Sequence, residues 1–370
     1  MKMKKIISLL LCMVMLMTVL AGCGTTVEDV IAEYSDAEAV TDDTGSVRDY
    51  DAGRKAFDAE AVVLNIEGED ITWDEFYDWI CFALSTYEYS YGEIADYSTY
   101  SDVIIEEAVL MATAYKSVEM KAEELGIGFD ADIETQIAED VAGAVEYYGS
   151  QEAYDEAVKQ FYGSQELYEY IFTVDALSDD MFEELYGTDG EKLTDAQIAE
   201  GSEGYLMAKH ILVLTTDDEG NALDEAAAAE VKDTIDSIYT MLTEYEGDDL
   251  EGYFDELTAQ YTEDTGYAAY PDGYLFQEGD MVTEFYDAVN GIEIGQFSEV
   301  VESTYGYHIV FRLPVDAEAV PMQYASYGYN ISLRSIIAND LLSEETRAWR
   351  EEVEYTTTEL YDSIDLAQLF

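Results

Sequence analysis

Basic residues and prolines are scarce in this sequence, and each shortage excludes a class of protein. Lysine and arginine number 16 against 83 aspartates and glutamates, a formal net charge of −67. Nucleic acid and anionic lipid surfaces are therefore disfavoured as partners, because both would be repelled. With only three prolines and 25 glycines, the chain is neither fully disordered nor fibrous. Its 370 residues, 48% of them hydrophobic, are enough for two domains with a sizeable core.

The first 22 residues have the pattern of a targeting segment. MKMKK is a basic start, IISLLLCMVMLMTVL is an apolar stretch, and LAGC ends it at Cys23. This ending resembles the lipobox of bacterial lipoproteins, in which the cysteine is lipidated and becomes the first residue of the mature chain. The resemblance implies lipidation at Cys23 and anchoring to the extracytoplasmic face of the cell membrane. An ordinary export signal or a membrane anchor is the alternative.

Cysteine is also scarce, with three residues in the chain. Cys12 lies in the targeting segment and Cys23 would carry lipid, which leaves Cys81 in DWICFAL. One remaining thiol excludes an intrachain disulfide. The apolar neighbours of Cys81 indicate an inert core thiol, so the fold must be stabilised by packing.

The sequence pattern divides the rest of the chain into four segments. Residues 23–57 are acidic and show little periodicity, which indicates a flexible tether. Residues 58–202 are mainly helical after a short strand, AVVLNI. Residues 203–316 run from a strand through helices to short strands, an α+β order. Residues 317–370 contain another long helix.

Several local signals mark helix ends in residues 58–202. Thr72 and Glu75 form a T-x-x-E capping box before an apolar stripe at helical spacing. Gly126 is a natural helix stop. YGSQE occurs twice and predicts two successive helix starts rather than a repeat array.

The two histidines of the chain both lie in short hydrophobic strands. His210 is in HILV and His308 is in GYHI, with YTED, YPDGYLF, GDMVTEFY and IGQFS between them. These blocks, in this order and with nearly this spacing, resemble the parvulin-type peptidyl-prolyl isomerase domain. The resemblance implies that the two strands are neighbours in the centre of a small sheet and that the two imidazoles meet.

The same resemblance assigns roles to further residues. It implies that His210 and His308 orient Asp264, where other members of the family have cysteine, and that Ser303 assists them as a polar group beside the twisting amide. Each assignment has an alternative. The histidines could merely pin two strands together, and Asp264 could be a carboxylate at a turn or a helix end.

Met281 and Phe285, four residues apart, match the proline-ring pocket of the family, although such a stripe is also common in helix cores. The loop that usually reads G-G-D-L-G is YPDGY here, and Leu275 is expected to supply the missing apolar wall. This departure makes the activity a weaker expectation than the fold. Phosphorylated substrates are not expected, because the loop after His210 is acidic, TTDDEGN, rather than basic.

No cofactor and no metal are expected. Rotation about an X–Pro bond needs neither, because no covalent bond is broken. Two histidines without cysteines or an acid cluster at metal spacing do not form a zinc site. TTDDEGNALDEA lacks two key ligands of a calcium loop. No nucleotide-binding or serine-hydrolase motif stands out.

The order of the segments resembles the extracytoplasmic foldase lipoproteins of the PrsA and SurA type. VVLNIEGEDITWDEF is similar to the opening of their chaperone domain. The resemblance implies an FKBP-like parvulin sheet-and-helix domain inserted in a mainly helical SurA-like domain, to which the C-terminal helix returns. The expected partners are unfolded exported polypeptides with X–Pro bonds, and a homodimer is left open.

Two functions follow from this resemblance. The first is a membrane-tethered isomerase and foldase. The second is a non-catalytic holdase chaperone with a degenerate parvulin domain, which the altered glycine loop motivates. A solute-binding lipoprotein is disfavoured, because the α/β alternation of a two-lobed binding protein is absent.

Overall fold

The computed structural model describes residues 48–129, 131–217 and 220–370. The predicted targeting segment, Cys23 and most of the predicted tether lie outside the described residues. The chain divides into two compact units. The first comprises the described residues up to Leu185 together with Asn339–Phe370, and the second is Tyr186–Ala338. The second unit is wider than the isomerase domain that the sequence places at residues 203–316.

The elements are numbered in chain order. The helices are α1 (Tyr50–Arg54), α2 (Trp73–Tyr91), α3 (Tyr97–Leu125), α4 (Ala131–Tyr148), α5 (Gln151–Tyr162), α6 (Gln165–Tyr186), α7 (Asp195–Gly201), α8 (Glu225–Thr243), α9 (Leu250–Tyr261), α10 (Thr283–Asn290), α11 (Met322–Ser326) and α12 (Leu333–Glu352). The strands are β1 (Val62–Ile66), β2 (Glu69–Thr72), β3 (Leu206–Leu214), β4 (Tyr274–Phe276), β5 (Val301–Glu302), β6 (Gly306–Leu313) and β7 (Tyr355–Thr357).

The first unit has its core along α2 and α3. Helix α2 begins at the predicted capping box, in which the Thr72 hydroxyl accepts from the Glu75 N–H and the Glu75 carboxylate accepts from the Thr72 N–H. The predicted apolar stripe then buries side chains such as Phe76 and Ile80 completely. Each such side chain stabilises the fold by about 1.5–3 kcal/mol relative to exposure.

The sheet of the first unit joins distant parts of the chain. Its order is β2–β1–β7, and Leu64 of β1 is paired with Thr357 of β7. The sequence predicts that residues 317–370 return as one segment. Asn339–Phe370 belongs to the first unit, whereas the part of the segment before it belongs to the second.

One sequence prediction on the first unit is wrong in detail. Residues 48–57 are not tether: α1 lies there, Gly53 is buried, and Arg48 forms an ion pair with Glu88. The two YGSQE helix starts are present, at α5 and α6.

The second unit is an antiparallel sheet with helices on both faces. The strand order is β4–β3–β6–β5, so β3 and β6 are central as expected. Side chains alternate across the sheet. Helix α9 covers one face, where Phe254 contacts Phe311, and α10 covers the other, where Phe285 packs with Ala208 and Val310. The face under α10 carries the two histidines.

Candidate active site

The pairing of β3 with β6 places the two histidines side by side. Ile211 is opposite Ile309 in the register, and Leu212 is opposite His308, so that His210 and His308 project from the same face. Their rings are stacked at an interplanar angle of 13°, and their Nδ1 atoms are 3.2 Å apart. The expectation that these imidazoles meet agrees with this geometry.

Asp264 reaches His210 because the chain after α9 is hydrogen-bonded to β3. The Glu263 N–H donates to the Leu212 carbonyl at 2.8 Å, and the Leu212 N–H donates to Thr262 Oγ1 at 3.2 Å. Asp264 Oδ2 then lies 2.9 Å from His210 Nε2. The structure therefore brings Asp264 to the position that the sequence resemblance implies.

Ser303 lies at the other end of the histidine pair. Its Oγ is 2.6 Å from His308 Nε2, and it accepts from the Tyr305 N–H at 3.1 Å. The turn that brings Ser303 there depends on Gly306, whose φ is +155°. A Cβ at this position would lie 2.2 Å from the Val213 carbonyl oxygen, so only glycine fits.

These contacts form one hydrogen-bond chain with a single direction. Asp264 is ionised: burial opposes the charge, but donors including His210 and Tyr274 lower the pKa of Asp264 to about 2. His210 therefore donates from Nε2 and, when neutral, accepts at Nδ1. His308 must then donate from Nδ1, and Ser303 donates to His308 Nε2. These proton positions follow from the network.

His308 is held in its neutral form. Its side chain is buried, and burial together with the neighbouring His210 lowers the pKa of His308 to about 4. A neutral His308 is the form that the hydrogen-bond chain requires, because a protonated ring would also carry a hydrogen on Nε2, to which the Ser303 hydroxyl could then no longer donate. With both imidazoles neutral, the network is a fixed set of dipoles with one ionised carboxylate at its end.

Phe285 forms the apolar wall beside the histidines. It is 2% exposed, and its ring lies edge-on to His210 and His308, with centroid separations of 5.2 Å and 5.8 Å. Met281 packs against the same cluster and is half-buried. The expectation of one helical face for the pair is wrong, because α10 begins at Thr283 and Met281 lies in the loop before it.

The prediction for Leu275 does not fit the structure. Leu275 is opposite Met207 in the register, and Tyr274 is opposite Ala208. Since Ala208 and His210 share a face, Tyr274 and Phe276 face the site and Leu275 projects from the other side of the sheet. Phe276 supplies the apolar wall instead, with its ring 5.6 Å from Phe285.

Tyr274 is the site residue that sequence reasoning missed. Its hydroxyl donates a short hydrogen bond to Asp264 Oδ2, and its ring lies edge-on to His210 with centroids 5.6 Å apart. The signal was present in YPDGYLF, where a strand of alternating residues that buries Phe276 must also bury Tyr274 on the same face. The prediction that Leu275 faces the site is therefore shifted by one residue along β4.

The surroundings of the site are acidic. The basic residues of positions 203–316 are Lys209, Lys232 and Arg312. Each is engaged elsewhere: Lys209 with Glu251 and Asp255, Lys232 with Asp236, and Arg312 with backbone carbonyls.

Among the described residues no group of three or more histidine, cysteine, aspartate or glutamate side chains could hold a metal ion. In that same part of the chain no helix is long and apolar enough to span a bilayer.

Comparisons with known proteins bear on the second unit and on the whole chain. Residues 210–312 match the model of the rotamase family, a PPIC-type PPIase domain. The foldase protein PrsA of Halalkalibacterium halodurans is 30% identical over 276 residues, which are 72% of this chain and 67% of that protein. The foldase protein PrsA of a Geobacillus species is 30% identical over 181 residues, 47% of this chain and 54% of that protein.

The coverage of the relatives is uneven. The chain spans about half the length of the PrsA proteins of Geobacillus and Bacillus anthracis that it matches, 54% and 48%. A crystal structure of the peptidylprolyl isomerase PrsA from Bacillus cereus is 19% identical and covers 80% of this chain and 91% of its own, with a TM-score of 0.31. The family match confirms the predicted parvulin resemblance, and the mixed helix-and-sheet architecture confirms the α+β fold class.

Proposed function

Because this chain belongs to the PrsA family of foldase proteins, we propose that it is a peptidyl-prolyl cis–trans isomerase that assists the folding of exported proteins. The observation that supports this most is the continuous hydrogen-bond chain from Asp264 through His210 and His308 to Ser303. It lies beside the apolar wall of Phe285 and Met281. The match of residues 210–312 to the PPIC-type domain supports the same activity.

The reaction requires little more than such a surface. The barrier to rotation about an X–Pro bond is roughly 20 kcal/mol, because the amide is conjugated. The twisted amide loses this conjugation, so its carbonyl and nitrogen differ in polarity from those of the planar amide. Met281, which is half-buried and packs against the buried cluster of Phe285 and Phe276, would offer the proline ring an apolar surface. Dipoles fixed in advance beside that pocket can stabilise the twisted state without rearranging.

The network acts through its orientation rather than by moving protons. Each ring nitrogen of His210 and His308 is within hydrogen-bond distance of a partner inside the protein. Since isomerisation makes and breaks no covalent bond, neither imidazole needs to give or take a proton. We assign to Asp264, His210, His308 and Ser303 the role of a rigid polar floor under the twisting amide.

The holdase function is the second candidate, and it is not favoured. It was motivated by the altered glycine loop, in which Leu275 was expected to replace a missing wall. Phe276 and Tyr274 close that side of the site instead, which removes the reason to regard the domain as degenerate.

An isomerisation assay on a proline tetrapeptide tests the proposal. The purified protein should accelerate cis–trans exchange, and His308→Ala or Asp264→Ala should reduce kcat/KM at least tenfold. Tyr307→Phe is the matched control, since Tyr307 lies next to His308 on β6 but faces the other side of the sheet. A wild-type protein without activity that still suppresses the aggregation of an unfolding client would establish the holdase function instead.

We further propose that the protein is exported and anchored by lipid at Cys23, with its partners outside the cytoplasm. The support is the targeting pattern of residues 1–22 and the LAGC motif. Expression in a bacterium with labelled palmitate should label the wild-type protein and place it in the membrane fraction. Cys23→Ser should abolish the label. A wild-type protein that stays unlabelled would contradict the anchor.

A further inference from the structure

Tyr274 borders the site on the side of β4. It is 7% exposed and projects from β4 on the face that carries His210. Its hydroxyl contacts Asp264 Oδ2, the same oxygen that lies 2.9 Å from His210 Nε2. Two donors therefore converge on one carboxylate oxygen.

The direction of this contact is fixed. Burial and the hydrogen bond to Asp264 raise the pKa of Tyr274, so the phenol keeps its proton and donates. The other carboxylate oxygen, Oδ1, accepts from the Gly266 N–H at 2.9 Å. With donors on both oxygens, the Asp264 carboxylate can neither rotate nor offer Oδ2 to a different partner without breaking a hydrogen bond.

We propose that Tyr274 is a positioning residue of the site. It clamps the Asp264 carboxylate so that His210 keeps its Nε2–H tautomer, and thereby sets the direction of the whole hydrogen-bond chain to Ser303. The effect on catalysis rests on the proposed isomerase function. The effect on the tautomer of His210 does not, because it follows from the contacts alone.

The ring and the hydroxyl of Tyr274 can be tested separately. The ring packs against Tyr270, with centroids 4.6 Å apart, and edge-on to His210. Tyr274→Phe retains both ring contacts and removes only the donor to Asp264. Tyr270→Phe is the matched control, since it removes a phenolic hydroxyl from the neighbouring ring of the same stack.

The test combines kinetics with NMR of the imidazoles. We expect Tyr274→Phe to lower kcat about tenfold with KM changed less than about twofold, the pattern of an interaction that matters mainly in the transition state. The ¹H–¹⁵N spectrum should show His210 protonated at Nε2 in the wild type. In Tyr274→Phe the Nε2–H signal of His210 should shift and exchange faster with water. Tyr270→Phe should match the wild type in both measurements.

A double variant distinguishes an effect of the Tyr274 hydroxyl through Asp264 from a general loss of order in the segment between Asp264 and Tyr274. If the hydroxyl acts through the carboxylate, adding Tyr274→Phe to Asp264→Asn should lower kcat no further than Asp264→Asn alone. Additive losses would overturn the positioning role. So would a Tyr274→Phe protein with wild-type kcat and an unchanged His210 spectrum, which would leave the isomerase proposal intact. An inactive wild type would overturn the isomerase proposal, and the spectra alone would then decide whether Tyr274 sets the tautomer.

Discussion

The Nδ1 atoms of His210 and His308 lie 3.2 Å apart, so one proton serves both. That proton is on His308, while His210 carries its own proton on Nε2, toward Asp264, and His308 is buried with its Nε2 facing Ser303. A proton added to His308 would have to displace the Ser303 hydroxyl hydrogen from this contact. It would also place a second positive charge next to His210 whenever that ring is protonated. Protonation of His308 in the folded protein is therefore unfavourable.

The second unit should lose stability as the pH falls from about 6.5 toward 4. His308 has an ordinary pKa of 6.5 when unfolded and about 4 when folded, so in this window the unfolded chain binds more protons and the free energy of unfolding falls with falling pH. The loss approaches about 3 kcal/mol at pH 4. Urea unfolding followed by hydrogen exchange of the β6 amides measures it. His308→Gln should remove most of this pH slope, and an unchanged slope would contradict the assignment.

The first unit should respond to pH in the opposite direction. Burial, with the nearby charge of Asp179, raises the pKa of Asp175 to about 7. A carboxyl whose folded pKa is raised contributes most stability below its unfolded pKa and loses it as the pH rises through 7, by at most about 1.4 kcal/mol per pH unit. Trp73, Trp79 and Trp349 all lie in this unit, so tryptophan fluorescence during urea unfolding reports on it.

Asp175→Asn is the matched variant for this prediction. It keeps the size of this partly buried side chain and removes the titrating group, so the stability of the first unit should depend less on pH between about 4 and 7. Because the chain carries a net charge of −67, mild acidification also reduces general repulsion, and this background should persist in the variant. Equal pH slopes in variant and wild type would show that Asp175 does not titrate in this range.

Gly306→Ala should destabilise the second unit. The new Cβ would lie 2.2 Å from the Val213 carbonyl oxygen, and the φ of +155° is strained for any L-residue. We expect a loss of at least about 2 kcal/mol in the free energy of unfolding, together with reduced activity, because the same turn positions Ser303. Gly279→Ala is the control: its φ is +98°, but no atom lies within 4 Å of the added Cβ. Equal losses in the two variants would contradict the steric argument.

The sequence predicted those parts of the site that lie on long, regular strands. His210 and His308 lie on strands of nine and eight residues, whose alternation and family motifs fix the face of each side chain. Asp264 follows α9 within the matched YTED block. For these residues local pattern and tertiary structure agree, so the sequence predicts the register.

Short elements were less predictable. Strand β4 has three residues, and a shift of one residue exchanges its faces, so the sequence pattern points to Leu275 instead of Tyr274 and Phe276. The start of α10 at Thr283 has no side-chain cap, so no capping residue indicates in advance that Met281 precedes the helix. Likewise, Arg48 and Gly53 belong to the first unit through tertiary contacts. The sequence around them is acidic and has little periodicity, so it does not predict these contacts.

Met281→Ala should weaken substrate binding with little effect on folding. Met281 is half-buried at the edge of the cluster that contains Phe285, so its truncation removes part of the apolar surface for the proline ring and leaves the core filled. We expect KM to rise about threefold to tenfold, equivalent to about 0.7–1.4 kcal/mol, with kcat nearly unchanged. Ile294→Ala is the control, because Ile294 is 57% exposed and belongs to a different part of the unit. A fall in kcat without a change in KM would instead indicate that Met281 orients the network.

Peptides with lysine before proline should be better substrates than peptides with glutamate there. Asp264 is ionised in the site, the neighbouring Glu263 and Glu284 are exposed, and the basic residues of positions 203–316 are engaged elsewhere. At low salt we expect kcat/KM to favour lysine about threefold or more, because the acidic surface attracts a cationic peptide and repels an anionic one. Raising the salt to about 0.5 M should shrink the difference, since screening then acts within a few ångströms. A peptide with alanine before proline is the neutral control and should depend little on salt. A preference for glutamate at low salt would show that a cationic group reaches the substrate, contrary to the charge distribution of this unit.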